Sequence, residues 1–163
     1  MEQTDPGKAE RVWSRVMCAQ NIQTAPACPC KENICLSAEM LAELITGELR
    51  SWCLYRSLAC MACQQVQNVL LCIAEQEKCH AKKLSVMYFL ATGKKFCPPN
   101  PRPACTACFN EAVRQAYKEE LDGACQYEML AQNAGSHACT LRSIAEEEKE
   151  HARQLACILQ TTL

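Results

Sequence analysis

Two matching segments decide the fold: IAEQEKCHAKKL at residues 73–84 and IAEEEKEHARQL at residues 144–155. In each, a glutamate precedes a histidine by three residues, giving the pairs Glu77/His80 and Glu148/His151. Three residues turn an α-helix by about 300°, so the two side chains of a pair lie about 60° apart on one face. The repeat therefore predicts two helices that each present a carboxylate and an imidazole together.

The repeat extends to the helix before each segment. Glu48 is followed seven residues later by Tyr55, and Glu120 is followed seven residues later by Tyr127. We interpret the chain as a duplicated helical hairpin. Seven residues change the helical phase by only about 20°, so each tyrosine hydroxyl is placed either to hydrogen-bond a glutamate across the bundle or to pack as an ordinary core residue.

Together the two hairpins supply four carboxylates and two imidazoles: Glu48, Glu77, His80, Glu120, Glu148 and His151. All of them fall near the middle of their predicted helices, where isolated buried charges are costly. Two divalent cations would neutralise the carboxylates, and this ligand set is typical of two-metal helical bundles. The remaining histidine, His137, has no glutamate three residues before it, and we predict a surface or capping role.

The periodicity predicts four helices and no strand, an all-α fold. Ser37 is a predicted N-cap, and the helices are expected over about 37–63, 66–93, 109–133 and 137–161. The connection between the second and third helices contains four prolines and spans about 50 Å when extended, more than a helix of about 39 Å. This long crossover predicts an up-down-down-up, ferritin-like four-helix bundle.

We expect two parts in the chain. Residues 37–163 form the bundle, and residues 1–36 form an N-terminal segment with a short amphipathic helix at 9–20 and a loop rich in cysteine and proline. The N-terminus is polar and has no apolar signal region, and no stretch approaches the ~20 apolar residues of a membrane span. We therefore predict a cytoplasmic protein without a membrane partner.

Charge and cysteine content narrow the functional classes. The net charge is −1 and both signs are mixed along the chain, which argues against nucleic acid as a partner. The chain has 15 cysteines, an odd number in a sequence without an export signal, so we expect reduced thiols rather than a disulfide scaffold. The thiols inside helices are predicted to serve largely as small apolar packing residues.

Several further side chains are compatible with more than one role. Cysteines in the two irregular segments and the Cys60-x-x-Cys63 motif could bind metal, cycle as a dithiol, or remain surface thiols. The irregular-segment cysteines are Cys28, Cys30, Cys35, Cys97, Cys105 and Cys108. Four acids are predicted to face solvent, namely Glu75, Glu146, Glu147 and Glu150, whereas Glu128 approaches the site if the third helix is rotated.

The order E…ExxH…E…ExxH, with YFLATGKKF after the first ExxH segment, resembles the rubrerythrins of the ferritin-like superfamily over about residues 37–161. The resemblance implies a non-haem di-iron centre that reacts with hydrogen peroxide or dioxygen, and a homodimer. The resemblance also implies that the metal ligands are Glu48, Glu77, His80, Glu120, Glu148 and His151. Rubrerythrins usually carry a further glutamate where this chain has Gly123. Many also carry a C-terminal rubredoxin domain, which is not seen before Leu163, so an external rubredoxin-type donor is expected.

The leading hypothesis is therefore a di-iron oxidoreductase. Glu77 and Glu148 would bridge two iron ions and the histidines would cap them, with Glu48 and Glu120 as terminal ligands, and all four glutamates would take part in catalysis. Manganese or zinc also suits this ligand set. The alternative is a ferroxidase or iron-storage protein without peroxidase turnover, and a third hypothesis is a thiol-lined protein that binds Cu(I).

Overall fold

The computed structural model describes residues 36–99 and 108–162. Four long helices account for most of them: α1 (Ala38–Ala59), α2 (Gln64–Thr92), α3 (Phe109–Asn133) and α4 (Ala138–Thr162). A short 3-10 helix, Gly135–His137, precedes α4. The described residues contain no strand, so the prediction of an all-α fold is confirmed.

Local sequence explains most of the helix ends. Ser37 caps α1 because its hydroxyl accepts a hydrogen bond from the backbone N–H of Met40 at 3.1 Å. At the end of α2, Gly93 adopts a left-handed conformation with φ of 68°, which glycine tolerates without a steric penalty. The predicted end of α1 near residue 63 is wrong. The helix ends at Ala59, which is the last residue of its buried face, and Met61 beyond it is 49% exposed.

Two apolar clusters fill the interior of the bundle. One contains Leu41, Ile45, Leu84, Met87, Tyr127, Leu141 and Ile144. The other contains Tyr55, Leu58, Leu70, Ile73, Val113, Leu155 and Ile158. Helices α1 and α4 run from the first cluster to the second, whereas α2 and α3 run from the second to the first.

This order is the predicted up-down-down-up topology. Helix α2 ends and α3 begins at opposite ends of the bundle, so α3 runs parallel to α2. Cross-bundle contacts agree: His80 and Gln76 of α2 contact Glu147 and His151 of α4, in antiparallel order. The predicted ferritin-like arrangement with one crossover is thereby confirmed.

The cysteines do not pack as expected. Among the ten cysteines in the described ranges, Cys53 is half-buried and the other nine are exposed. Cys72 and Cys79 show the reason, because each directly precedes a fully buried residue and is rotated about 100° away from the core stripe. The prediction that helical thiols fill the core is therefore wrong.

Some predictions concern residues outside the described ranges. These are the N-terminal segment with its short helix and the cysteines Cys28, Cys30, Cys35 and Cys105. Cys97 and Cys108 are described, and both are exposed. Among the described helices, none combines the length and the apolar character needed to cross a bilayer.

Candidate metal centre

Six polar side chains are buried between the two apolar clusters, and within residues 36–99 and 108–162 they are the only buried carboxylates and imidazoles. They are Glu48, Glu77, His80, Glu120, Glu148 and His151, each at most 6% exposed. All six were predicted as ligands from the repeat. Each of the four helices contributes at least one of them near its midpoint. The four glutamates therefore lie at similar heights in the bundle.

The six side chains form two overlapping groups. Four ligand atoms from Glu48, Glu77, His80 and Glu148 lie within 4.8 Å of one another. A second group with the same spacing consists of Glu77, Glu120, Glu148 and His151. Glu77 and Glu148 belong to both groups, which is the arrangement expected of carboxylates between two neighbouring cations.

The Nδ1 atom of each imidazole faces the carboxylates. His80 Nδ1 lies 3.0 Å from Glu148 Oε1 and 3.4 Å from Glu48 Oε2. His151 Nδ1 lies 2.8 Å from Glu77 Oε1 and 3.4 Å from Glu120 Oε2. The two ring centroids are 5.7 Å apart.

Close approach here does not mean that these atoms are hydrogen-bonded. Five of the converging atoms lack a partner with hydrogen-bond geometry, although they are buried: Glu77 Oε1, His80 Nδ1, Glu120 Oε2, Glu148 Oε1 and His151 Nδ1. Buried polar atoms are normally paired. Orphaned oxygen and nitrogen atoms that converge on common points fit a centre that binds two cations.

The buried carboxyl groups and imidazoles of the cluster compete for protons. Burial raises the pKa of Glu77 well above its usual range and that of Glu120 to about 8. Burial opposes charge on the imidazoles as well, but the neighbouring carboxylates prevail and raise the pKa of His80 to about 10 and that of His151 to about 12. For Glu148, contacts with Glu120 and both imidazoles outweigh burial and lower its pKa. Without metal, the cluster therefore retains protons at neutral pH.

Both tyrosines of the repeat reach across the bundle to a glutamate. The Tyr55 hydroxyl on α1 donates a hydrogen bond to Glu120 Oε1 on α3. The Tyr127 hydroxyl on α3 donates reciprocally to Glu48 Oε1 on α1. Both phenols have a pKa well above the ordinary value, chiefly because they are buried and also because glutamates surround them, so they remain neutral donors.

The outer nitrogen of each imidazole has a partner that the sequence analysis missed. His80 Nε2 lies 2.7 Å from Glu147 Oε2, and His151 Nε2 lies 3.1 Å from Gln76 Oε1. The prediction that Glu147 faces solvent is wrong, because its carboxylate is only 32% exposed and contacts both His80 and Lys83. The sequence carried one signal for this pair of partners, because Gln76 and Glu147 occupy equivalent positions of the repeat.

Other candidate residues lie outside the cluster. Glu75, Glu146 and Glu150 are exposed, as predicted. Glu128 is also exposed and pairs with Lys149 on the surface, so it does not join the site. His137 lies in the 3-10 helix before α4 and is half-buried.

A cavity of about 410 Å³ connects the cluster to solvent between α1 and α3. Its inner lining includes the four glutamates Glu48, Glu77, Glu120 and Glu148. Two glycines, Gly47 on α1 and Gly123 on α3, also line it, and a Cβ added to either would meet no atom within 4 Å. The buried carboxylates are thus accessible to small molecules.

Comparison with known proteins agrees with this geometry. The family model for rubrerythrin matches residues 39–159. A hypothetical protein from Pyrococcus furiosus has a similar structure, with a TM-score of 0.67, and the match covers 76% of this chain and 87% of that chain. Its sequence is 22% identical, so this likeness concerns the fold alone. No curated protein matches the chain. Because the family match spans most of the sequence and the buried cluster fits a two-metal site, the chain belongs to the rubrerythrin family.

Proposed function

We propose that the protein is a non-haem di-iron oxidoreductase that reduces hydrogen peroxide or dioxygen with electrons from an external donor. The observation that carries this proposal is the pair of overlapping ligand groups at the base of a solvent-connected cavity. A purely structural cluster would need no access from solvent. Membership of the rubrerythrin family supports the same activity.

In this proposal each buried side chain has a distinct role. Glu77 and Glu148 would be shared by the two ions, because they alone belong to both groups. His80 and His151 would each hold one ion through Nδ1, and Glu48 and Glu120 would each supply one further carboxylate. A set dominated by oxygen ligands suits iron, and manganese or zinc is also compatible with it.

The protein residues orient the ligands and restrict solvent access to one side of the cluster. Tyr55 and Tyr127 each occupy one oxygen of a terminal glutamate, which leaves the other oxygen directed towards the cluster. Apolar clusters lie above and below the site, so the cavity between α1 and α3 is the route by which solvent reaches it. When bound, two ferrous ions supply the two electrons that, with two protons, convert hydrogen peroxide to two water molecules.

Continued turnover requires a partner that returns two electrons for each peroxide molecule. A rubredoxin-type electron-transfer protein is a suitable donor, since family membership suggests redox partners. The same family membership leads us to propose a homodimer. Analytical ultracentrifugation of the purified protein tests the dimer independently of activity.

Stopped-flow mixing of the anaerobic ferrous protein with hydrogen peroxide tests the proposed reaction. We expect rapid oxidation by peroxide and repeated turnover when reduced rubredoxin is supplied. A Glu77→Ala/Glu148→Ala variant should lose this reaction, whereas a His137→Ala variant should retain it. If the iron-loaded protein neither oxidises rapidly nor turns over, it is not a peroxidase.

The second candidate function is ferroxidase activity linked to iron storage, because the same ligand groups would also bind ferrous iron. Storage predicts many iron atoms per chain or a large cage-like assembly. Iron analysis together with sedimentation distinguishes the two functions. Two iron atoms per chain in a dimer would exclude storage.

A further inference from the structure

The duplication reproduces the six buried side chains but not the groups behind the two imidazoles. His80 Nε2 donates its hydrogen to the Glu147 carboxylate at 2.7 Å. His151 Nε2 donates to the Gln76 side-chain oxygen at 3.1 Å. Because Gln76 and Glu147 are equivalent residues of the repeat, one imidazole is supported by an anion and the other by a neutral amide.

The residues that hold Glu147 also differ between the repeats. Lys83 Nζ contacts the two Glu147 oxygens at 3.0 and 3.2 Å, and Ser143 Oγ donates to Oε1 at 3.0 Å. The equivalent positions around Gln76 are Gln154 for Lys83 and Cys72 for Ser143. Glu147 therefore has a fixed orientation beside His80, and no counterpart of this arrangement is found beside His151 among the described residues.

This difference affects the atom that would bind metal. The hydrogen bond made by Nε2 fixes the tautomer of the ring and leaves the Nδ1 lone pair for a cation. A carboxylate acceptor increases the basicity of the imidazole more than a neutral amide does, since charge-assisted hydrogen bonds are the stronger ones. Once a cation displaces the protons of the cluster, we therefore expect His80 Nδ1 to be the stronger of the two imidazole ligands.

We propose that the two metal positions are unequal: the position formed by Glu48, Glu77, His80 and Glu148 binds a divalent cation more tightly and fills first. Glu147 is the positioning residue that creates the difference, and Lys83 holds it in place. This inference rests on the metal site of the proposed function, but it does not depend on which oxidant reacts there.

Zinc binding followed by nitrogen NMR tests the order of filling. The metal-free protein is labelled with ¹⁵N-histidine, and zinc is added in steps while each Nδ1 resonance is monitored. The chain has three histidines, so His137 serves as an internal reference. We expect the His80 resonance to change during the first equivalent of zinc and the His151 resonance during the second.

Exchange of the two supporting residues provides the matched variants. Glu147→Gln gives both imidazoles an amide partner, and we expect the first zinc to bind about 10-fold more weakly or worse. The double variant Gln76→Glu/Glu147→Gln should reverse the order, so that His151 responds first. Glu146→Gln changes the charge of an exposed neighbour and should leave the order unchanged.

The outcomes separate this inference from the proposed function. If both imidazoles respond in parallel, or His151 responds first in the unaltered protein, the inequality is wrong while the metal site stands. An unchanged order in the double variant would show that Glu147 does not determine it. If neither imidazole responds to zinc, the metal site fails and the proposed function fails with it.

Discussion

At the scale of single residues, the two buried tyrosines each hold one oxygen of a glutamate and leave its other oxygen turned towards the cluster. Tyr127 occupies Glu48 Oε1, and Tyr55 occupies Glu120 Oε1. The remaining Oε2 atoms each lie 3.4 Å from an imidazole Nδ1. Glu48 and Glu120 are therefore each held so that one oxygen faces the cluster and, in the proposed centre, would be free to bind metal.

We predict that Tyr55→Phe destabilises the protein and weakens metal binding. A buried carboxylate oxygen that loses its donor costs about 1–3 kcal/mol, and loss of a residue that orients a ligand typically lowers metal affinity about 10–100-fold. Chemical denaturation and zinc titration measure the two effects. Tyr117→Phe is the matched control, because Tyr117 packs partly buried against the same apolar cluster. Equal effects of the two substitutions would contradict an orienting role.

The six buried residues were predictable from sequence because a repeated Glu-x-x-His pair and a repeated Glu-to-Tyr spacing mark them. Gln76 and Glu147 were not, since each lies about 100° around the helix from its neighbouring glutamate. Glu147 was therefore predicted to face solvent, and no role was predicted for Gln76. Their partners are on the opposite helix. Only the antiparallel packing of α2 against α4 brings each beside an imidazole of the other repeat.

At the scale of elements, α1 and α3 each have a glycine in mid-helix beside the cavity. Glycine destabilises a helix interior by about 1 kcal/mol relative to alanine, and no close packing at Gly47 or Gly123 explains its presence. Both residues line the opening that leads to the four glutamates. The absence of side chains at these positions keeps the route to the cluster wide.

We predict opposite effects of small and large substitutions at Gly123. Gly123→Ala should stabilise the protein by up to about 1 kcal/mol and leave reactivity nearly unchanged, because a methyl group fits the open space. Gly123→Leu should fill the cavity and slow oxidation of the ferrous protein by peroxide without lowering zinc affinity. Thermal unfolding and stopped-flow absorbance measure these effects.

Cys125→Leu is the control for this experiment, since Cys125 lies on the same helix, is exposed, and does not line the cavity. It should not change the rate of oxidation. An unchanged rate in Gly123→Leu as well would mean that small oxidants reach the cluster by another route.

Helix bounds were predictable where caps or glycines mark them, as Ser37 and Gly93 do. Helix α3 begins and ends where its periodicity predicts. The end of α1 was predicted too late, because the apolar residues after Ala59 continue a helical pattern although Met61 is 49% exposed. Hydrophobic periodicity alone does not show where the neighbouring helix stops.

At the scale of the whole molecule, a polar layer separates two apolar clusters, so the fold depends on what neutralises that layer. Without metal, protons on Glu120 and the imidazoles reduce the repulsion among four buried carboxylates. The pKa of Glu120 is raised from 4.5 to about 8, and that of His80 from 6.5 to about 10. Groups whose pKa rises on folding stabilise the folded protein only while protonated.

We therefore predict that the metal-free protein loses stability as the pH rises. The stability that protonated Glu120 gives the folded protein is complete below pH 4.5 and disappears as the pH passes about 8. The stability that protonated His80 gives declines from pH 6.5 through about 10. The free energy of unfolding should fall by up to about 1.4 kcal/mol per pH unit for each proton released, so the melting temperature should fall steadily between pH 6 and pH 9. Glu120→Gln, which cannot titrate, should show a shallower decline. Stability that rises over this interval would contradict the assignment of protons to the cluster.

Divalent cations should reverse this trend, because they compete with protons for the same oxygen and nitrogen atoms. Zinc at 100 times its dissociation constant stabilises a folded protein by about 2.7 kcal/mol, and its affinity should increase with pH as fewer protons need displacing. The difference in melting temperature between loaded and metal-free protein should therefore widen from pH 6 to pH 9. Glu77→Ala/Glu148→Ala removes the two glutamates common to both groups and should abolish the difference at every pH. If the difference were constant with pH in the unaltered protein, cations and protons would not share these atoms, and the polar layer would not be the metal site.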